Sequence, residues 1–244
     1  HYKISRWETF RNEALHLAGT SARDTREQLI AMLAPLEDLL DAFEYYIISL
    51  FAHTLNLARC GHQSVVVCLV KIMERENQED ERTAAIRFAK HAKIDGAARF
   101  HGIATYGHSI KLYWHKFQDT LRVSALQRLL KAWTSLREPS PAELYSQIDW
   151  LYDELDQARA WLVPLFPSTC NVFKMYVQAH HRALGELLQA QMPLEEVDAA
   201  SLLELYHVAQ EHETRLLKKK HGIDASWLEP SLLGGREQNI MDDY

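Results

Sequence analysis

The scarcity of glycine and proline, 9 and 7 in 244 residues, leaves this chain few places to reverse direction tightly. A β-sandwich or barrel needs a turn signal every ~8–12 residues, which this sequence cannot supply. Ala, Leu, Glu, Gln and Arg, residues that cost little in a helix, dominate instead. With 47% hydrophobic residues the chain can bury a sizeable core. The expected fold is all-α.

Apolar residues step by three or four along most of the sequence, and this spacing marks out the helices. A first helix is expected from about Tyr2 to Leu17, stopping near Gly19-Thr20. Ser21 or Asp24 can cap a second, carrying Leu29, Leu33, Leu36, Leu40, Phe43 and Ile47 as far as about Cys60. Pro35 lacks the amide for a helical bond and is expected to kink or divide it. After Gly61-His62 a third helix starts near Gln63 and runs through nine consecutive polar residues, 74–82. Such a run exceeds two turns, so every face is expected to be wet there, as a helix tip, a frayed loop or a partner surface.

The glycines at 96, 102 and 107 make 95–107 a connection, and a fourth helix is expected over 109–136. Ser140-Pro141-Ala142-Glu143 has the pattern of a capping box with proline at the first helical position. This fifth helix ends at Phe166, which Pro167 holds away from helix. Ser168 or Thr169 is expected to start the sixth. Met192-Pro193 breaks it, and Asp198 caps a seventh that closes at Gly222. Trp227, Leu228, Leu232 and Leu233 are too apolar to hang in water, so 223–235 reads as an ordered loop.

Helices of ~16–38 residues span about 25–55 Å each. Those lengths suit an elongated rod of stacked antiparallel bundles, and no fixed period supports a regular repeat array. A first bundle over 1–165 and the start of another over 166–244 are expected. Both ends of the sequence read as cut from something longer.

The formal charge of −6 and pI near 6.1 argue against a dedicated nucleic-acid binder. Lys218-Lys219-Lys220 closes a helix, where cations complement its negative end. Cys60, Cys68 and Cys170 form no metal-binding pair, and they read as small buried hydrophobes in a reducing compartment. No signal peptide opens the chain. Its longest apolar stretches, 45–52 and 65–70, fall short of the ~18 residues that span a bilayer. A soluble, cytosolic protein is the expectation.

The histidines invite a metal hypothesis that their spacing defeats. His101, His108 and His115 are two helical turns apart, about 10.5 Å, and zinc bonds of ~2 Å cannot join them. His207, Glu211 and His212 imitate an H-x-x-E-H motif with one residue too many, so the two rings diverge. His180 and His181 are adjacent and point apart. No phosphate loop, dinucleotide turn or nucleophile elbow is present. Cys170 has no identifiable partner base, and Asp242-Asp243 lacks a third carboxylate. Trp7, Trp114, Trp133, Trp150, Trp161 and Trp227 sit among leucines at helical spacing and read as core, any exposed member being an interface anchor instead. No catalytic, cofactor-binding or metal-binding residue is expected, no cofactor is implied, and partner-binding residues are not identified.

The last third carries a resemblance. Leu165-Phe166-Pro167-Ser168-Thr169-Cys170-Asn171-Val172-Phe173 leads into two helices, then into the text from Gly222-Ile223-Asp224-Ala225-Ser226-Trp227-Leu228 to Gly234-Gly235-Arg236-Glu237, and ends Ile240-Met241-Asp242-Asp243-Tyr244. This order resembles the exocyst complex component three family, whose members carry a WLxPPLLxGRE-like loop before an acidic helix ending in tyrosine. Ser231 stands where the second proline is expected. Phe43 to Leu57, Arg59 to His62, Val65 to Ile72 and the acidic Glu74 to Glu81 also follow the family order, and Lys111 to Leu121 is a weaker echo.

The resemblance implies a non-catalytic, rod-like scaffold subunit of the exocyst, tethering secretory vesicles to the plasma membrane before SNARE-mediated fusion. Its implied partners are other exocyst subunits and plasma-membrane SNARE proteins with their regulators. Membrane association would be peripheral, through the complex, at plasma-membrane sites of exocytosis. The tyrosine end would run into a further domain. The alternatives are another helical interaction module, such as a different tether or a SNARE regulator, and an all-α metal-dependent enzyme.

Overall fold

The computed structural model describes residues 1–19, 23–91, 108–192, 198–218 and 222–234. All regular structure among them is helical, as the scarcity of turn residues requires. The α-helices are α1 (Tyr2–Ala18), α2 (Arg23–Ala52), α3 (Thr54–Arg59), α4 (Gln63–His91), α5 (Tyr113–Thr134), α6 (Pro141–Gln147), α7 (Asp149–Trp161), α8 (Val172–Gln191) and α9 (Ala199–Leu216). The expected connection at 95–107 lies outside the described residues.

Several boundaries differ from the expectation for local reasons. Helix α2 runs continuously through Pro35, whose neighbourhood is solvent-facing, and the chain breaks instead at His53. The expected fifth helix is two, α6 and α7, parted at the fully buried Ile148 (φ −101°, ψ 21°). The Ser140 hydroxyl accepts the Glu143 amide at 3.2 Å, as a cap should. Its reciprocal carboxylate, however, is Glu204 of α9, which accepts from the Ser140 hydroxyl at 3.0 Å and the Ala142 amide at 3.1 Å. Phe166 is extended before Pro167, as expected. Helix α8 is capped not by Ser168 or Thr169, which lie in a 3-10 turn, but by Asn171 in the left-handed region (φ 41°). Asn tolerates that conformation, and its side chain accepts the Lys174 amide at 3.1 Å. Asp198 caps α9 as expected, accepting from Ser201 at 2.8 Å. That helix stops at Leu216, ahead of the left-handed Gly222 (φ 55°).

The chain divides into two compact units, one of residues 1–51 with 67–116, the other of residues 52–66 with 117–244. In the first, Leu40, Ile47 and Phe51 of α2 and Leu69, Val70 and Met73 of α4 form the core. Phe51 meets Tyr113 edge to face, with ring centroids 6.0 Å apart. In the second, α8 is the central helix, buried on nearly every side, including both of its adjacent histidines. Phe117 and Phe166 stack there at 5.8 Å.

Three expectations about burial fail. The polar run 74–82 is helical but not wet all round: Glu76, Asp80 and Thr83 are buried on the same side of α4 as Met73. Cys60 and Cys68 are exposed rather than buried, and Cys170 is half-buried, its thiol donating to the Pro167 carbonyl at 3.1 Å. Of the tryptophans only Trp133 is buried; Trp7 and Trp161 are exposed and the others half-buried.

Candidate functional site

In the first unit, the buried acids of α4 hold the start of α5. A helix start leaves amides without intrahelical partners and carries partial positive charge. Here Asp80 meets that charge from another helix. Its carboxylate accepts the Lys111 amide at 3.0 Å, the Leu112 amide at 2.8 Å, and the His108 Nε2 at 2.5 Å. Leu112 takes a left-handed φ of 52°, rare for a branched side chain. Its carbonyl accepts the Lys116 amide, the first hydrogen bond into α5.

Around this cap the acids outnumber the lysines. Glu8 of α1, 5% exposed, accepts Lys111 Nζ at 2.7 Å. Glu44 of α2 pairs with Lys116 and lies 4.0 Å from Lys111. Glu76 receives the His1 ring at 2.8 Å and lies 3.9 Å from His108. Burial pushes the Glu76 carboxyl up, and nearby Asp80 adds to this, while His108, Lys111 and Arg75 only partly offset it. Burial, then the charges of Glu44, Glu76, Glu8 and Asp80, also push the Tyr113 phenol up, so it stays neutral. Among the described residues no set of three His, Cys, Asp or Glu side chains is placed to hold a metal ion. The chemistry of this seam is charge pairing and helix capping, which ties α1, α2, α4 and α5 into one register.

The second unit has a buried chain of rings. The Tyr145 and Tyr152 hydroxyls are 3.3 Å apart, and Tyr152 reaches His212 Nδ1 at 2.7 Å. His212 Nε2 meets His181 Nδ1 at 3.3 Å, and His181 Nε2 meets the Pro230 carbonyl at 2.9 Å. Arg215 lies 3.6 Å over the Tyr152 ring and bonds Asp149 at 2.6 Å. Burial first, then His181, Arg215 and His180, holds His212 well below the usual imidazole range. As the sequence implied, His207 is exposed while His212 is buried, and His180 and His181 take different partners.

His180 donates through Nδ1 to the Tyr176 carbonyl at 2.8 Å, and its Nε2 lies 3.6 Å from Glu154. Glu154 also takes Arg128 at 2.5 Å, whose guanidinium sits 4.3 Å over Trp150. Burial pushes the Glu154 carboxyl up, but the adjacent His180 ring and its bonded Arg128 guanidinium outweigh that and bring it down to about 2.

The loop 224–234 docks on α8. Leu228, Leu232 and Leu233 are buried, and Trp227 meets Phe173 edge to face at 6.3 Å. Gln189 donates to the Leu232 carbonyl at 3.0 Å. A Cβ on Gly185 would lie 3.4 Å from that carbonyl oxygen, in ordinary contact, so the loop leaves room there for little more than a methyl group. The segment with the most distinctive sequence is therefore a packed element. The residues that follow it, from 235, lie outside the described part, as do His101 and two of the three closing lysines.

Exposed apolar side chains remain on helix surfaces. In the first unit they include Trp7 and Phe10 of α1, and Met32 and Tyr45 of α2, both 77% exposed. In the second they include Trp161 and Leu203. Among the described residues no helix is long and apolar enough to cross a membrane. Sequence reasoning missed the buried acids and the ring chain, because their partners are distant in sequence and nothing local distinguishes them from solvated residues.

Comparison with known proteins gives one consistent result. A family model described as "Exocyst complex component Sec6" matches residues 33–244. The "Exocyst complex component sec6" of Schizosaccharomyces pombe (strain 972 / ATCC 24843) is 24% identical over 246 residues, covering 100% of this chain and 32% of that protein. The chain thus spans about a third of the length of the curated relative it matches. No solved structure matches.

Proposed function

From its membership of the Sec6 family of exocyst components, we propose that this chain is a non-catalytic scaffold segment of an exocyst subunit. The observation that carries the reading is the family match, which runs from within α2 to residue 244. Within it, the finer assignment to component three rests on the loop text from Trp227 to Glu237. In this reading the segment works in a strut of helical bundles that tethers secretory vesicles to the plasma membrane before SNARE-mediated fusion. Its partners are the other exocyst subunits and, through the assembled complex, plasma-membrane SNARE proteins and their regulators. It is cytoplasmic and reaches the membrane peripherally, at sites of exocytosis.

The physical logic supports a positioning role. Close-packed helix interiors compress little, so a packed bundle keeps surface groups at fixed separations. Many modest contacts distributed over such a surface can add up by multivalency without one deep pocket. Exposed aromatics such as Trp7 and Tyr45 are residue types enriched at the energetic centres of interfaces.

Affinity purification of the full-length protein from cells, followed by mass spectrometry, tests this reading. Recovery of the other exocyst subunits in near-equal amounts is expected. Recovery of a different complex would point to another helical module. A stoichiometric metal in the purified protein would revive the enzyme alternative.

A further inference from the structure

The ring chain of the second unit has a property that follows from counting hydrogens. It links one group from each of five elements: Tyr145 of α6, Tyr152 of α7, His212 of α9, His181 of α8, and the Pro230 carbonyl of the 224–234 loop. A carbonyl oxygen only accepts, so His181 Nε2 carries a hydrogen. Between His181 Nδ1 and His212 Nε2, at 3.3 Å, there is room for one hydrogen and no more.

Three fillings satisfy every link, one neutral and two singly charged. In the neutral one, His212 donates through Nε2 to His181, Tyr152 donates to His212 Nδ1, and Tyr145 donates to Tyr152. In the singly charged ones, His212 holds a hydrogen on Nδ1, Tyr152 turns to donate outward to Tyr145, and the hydrogen between the rings sits on either His181 Nδ1 or His212 Nε2. Adding a second proton gives two N–H groups facing each other, and no filling remains.

We propose that His181 and His212 form an acid-release latch: the pair holds one extra proton, and a second one parts the rings and lifts the 224–234 loop from α8. His181 is the shared member, since the same ring that touches His212 also holds the loop through Pro230. Its release would uncover the apolar seat of Leu228, Leu232 and Leu233 on α8.

The charged groups around the pair oppose a second proton. Arg215 of α9 is a cation beside Tyr152 and His212. Asp149 of α7 is already engaged by Arg215, and Glu154 of α7 by Arg128. His180 of α8 lies near His212 and faces Glu154. Glu211 of α9 is exposed to water. The loop contributes a neutral carbonyl.

The direction with pH follows. His212 is held below its ordinary value of 6.5 in the folded protein. Its neutral form therefore adds stability that is full above pH ~6.5 and falls away as the pH drops toward the lowered value.

Hydrogen exchange on the full-length protein at pH 7.5, 6.5 and 5.5, corrected for intrinsic rates, tests the latch. Peptides covering 224–234 are expected to exchange about tenfold faster at pH 5.5 than at 7.5, while peptides within α5 stay unchanged. In His181→Gln, whose amide can still donate to Pro230 but cannot be charged, the step should vanish with the loop protected throughout. If that variant loosens the loop at every pH, His212→Gln carries the same test, since it leaves the Pro230 contact in place. A wild-type loop with no step, or a step that survives in the variant carrying the test, would overturn the proposal.

Discussion

Asp80 shows how one buried carboxylate can organise a helix start that its own sequence neighbourhood gives no hint of. It sits in a run of nine polar residues that reads as solvated, yet it accepts two backbone amides and a histidine. The partners at 108–112 lie far along the chain, so no spacing rule could connect them. Removing it leaves the Lys111 and Leu112 amides without that acceptor in a part-buried setting. Asp80→Ala is expected to cost about 3 kcal/mol in urea unfolding; a loss below about 0.5 kcal/mol would show that the cap is dispensable.

Glu76, a turn earlier on the same face, is expected to behave oppositely. Its folded-state carboxyl lies above the ordinary value, so its contribution to stability is full below pH ~4.5 and is lost as the pH rises through the folded value. Glu76→Gln keeps an acceptor while removing one charge from an acid-rich seam. It should raise the melting temperature at pH 8 and lose that advantage near pH 4. Glu154, pulled down to about 2, has the usual carboxylate sign: its stability is full above pH ~4.5 and is lost as the pH falls through the folded value.

At the scale of elements, the helices were legible wherever local chemistry decided them. Ser140 and Asp198 cap as their sequence patterns indicate, and Pro167 holds Phe166 extended. Ser140→Ala should lower stability by about 1 kcal/mol, more if the Glu204 bonds matter, and thermal unfolding reads this directly. What could not be read depended on tertiary packing. Nothing local favours a break at Ile148 over a longer helix, but burying that side chain fixes it. Ser168, Thr169 and Asn171 are all good caps by residue type, and the left-handed backbone at Asn171 decides between them.

The loop 224–234 illustrates the same division. Its leucines announced that it would be ordered, while its seat on α8 depends on a small residue at Gly185. A branched side chain there would meet the Leu232 backbone. Gly185→Leu should therefore open 224–234 to proteolysis while leaving circular dichroism nearly unchanged. Unaltered resistance to protease would mean the loop does not depend on that close approach.

For the whole molecule, the family was legible before the fold was known, because the loop from Trp227 onward carries residue identities and not only a hydrophobic pattern. The helical repeat could establish no more than all-α. Contact surfaces were not legible at all: helical spacing could not sort core tryptophans from exposed ones, and only packing reveals that Trp7 and Trp161 face outward.

Cross-linking mass spectrometry on the assembled exocyst, with the full-length protein in place, tests the scaffold role most directly. Lys3, Lys71, Lys131 and Lys174 offer reactive positions along the segment. Reproducible cross-links from these residues to other exocyst subunits are the expected result. An intact complex in which the segment links only to its own chain would contradict a scaffold role for it.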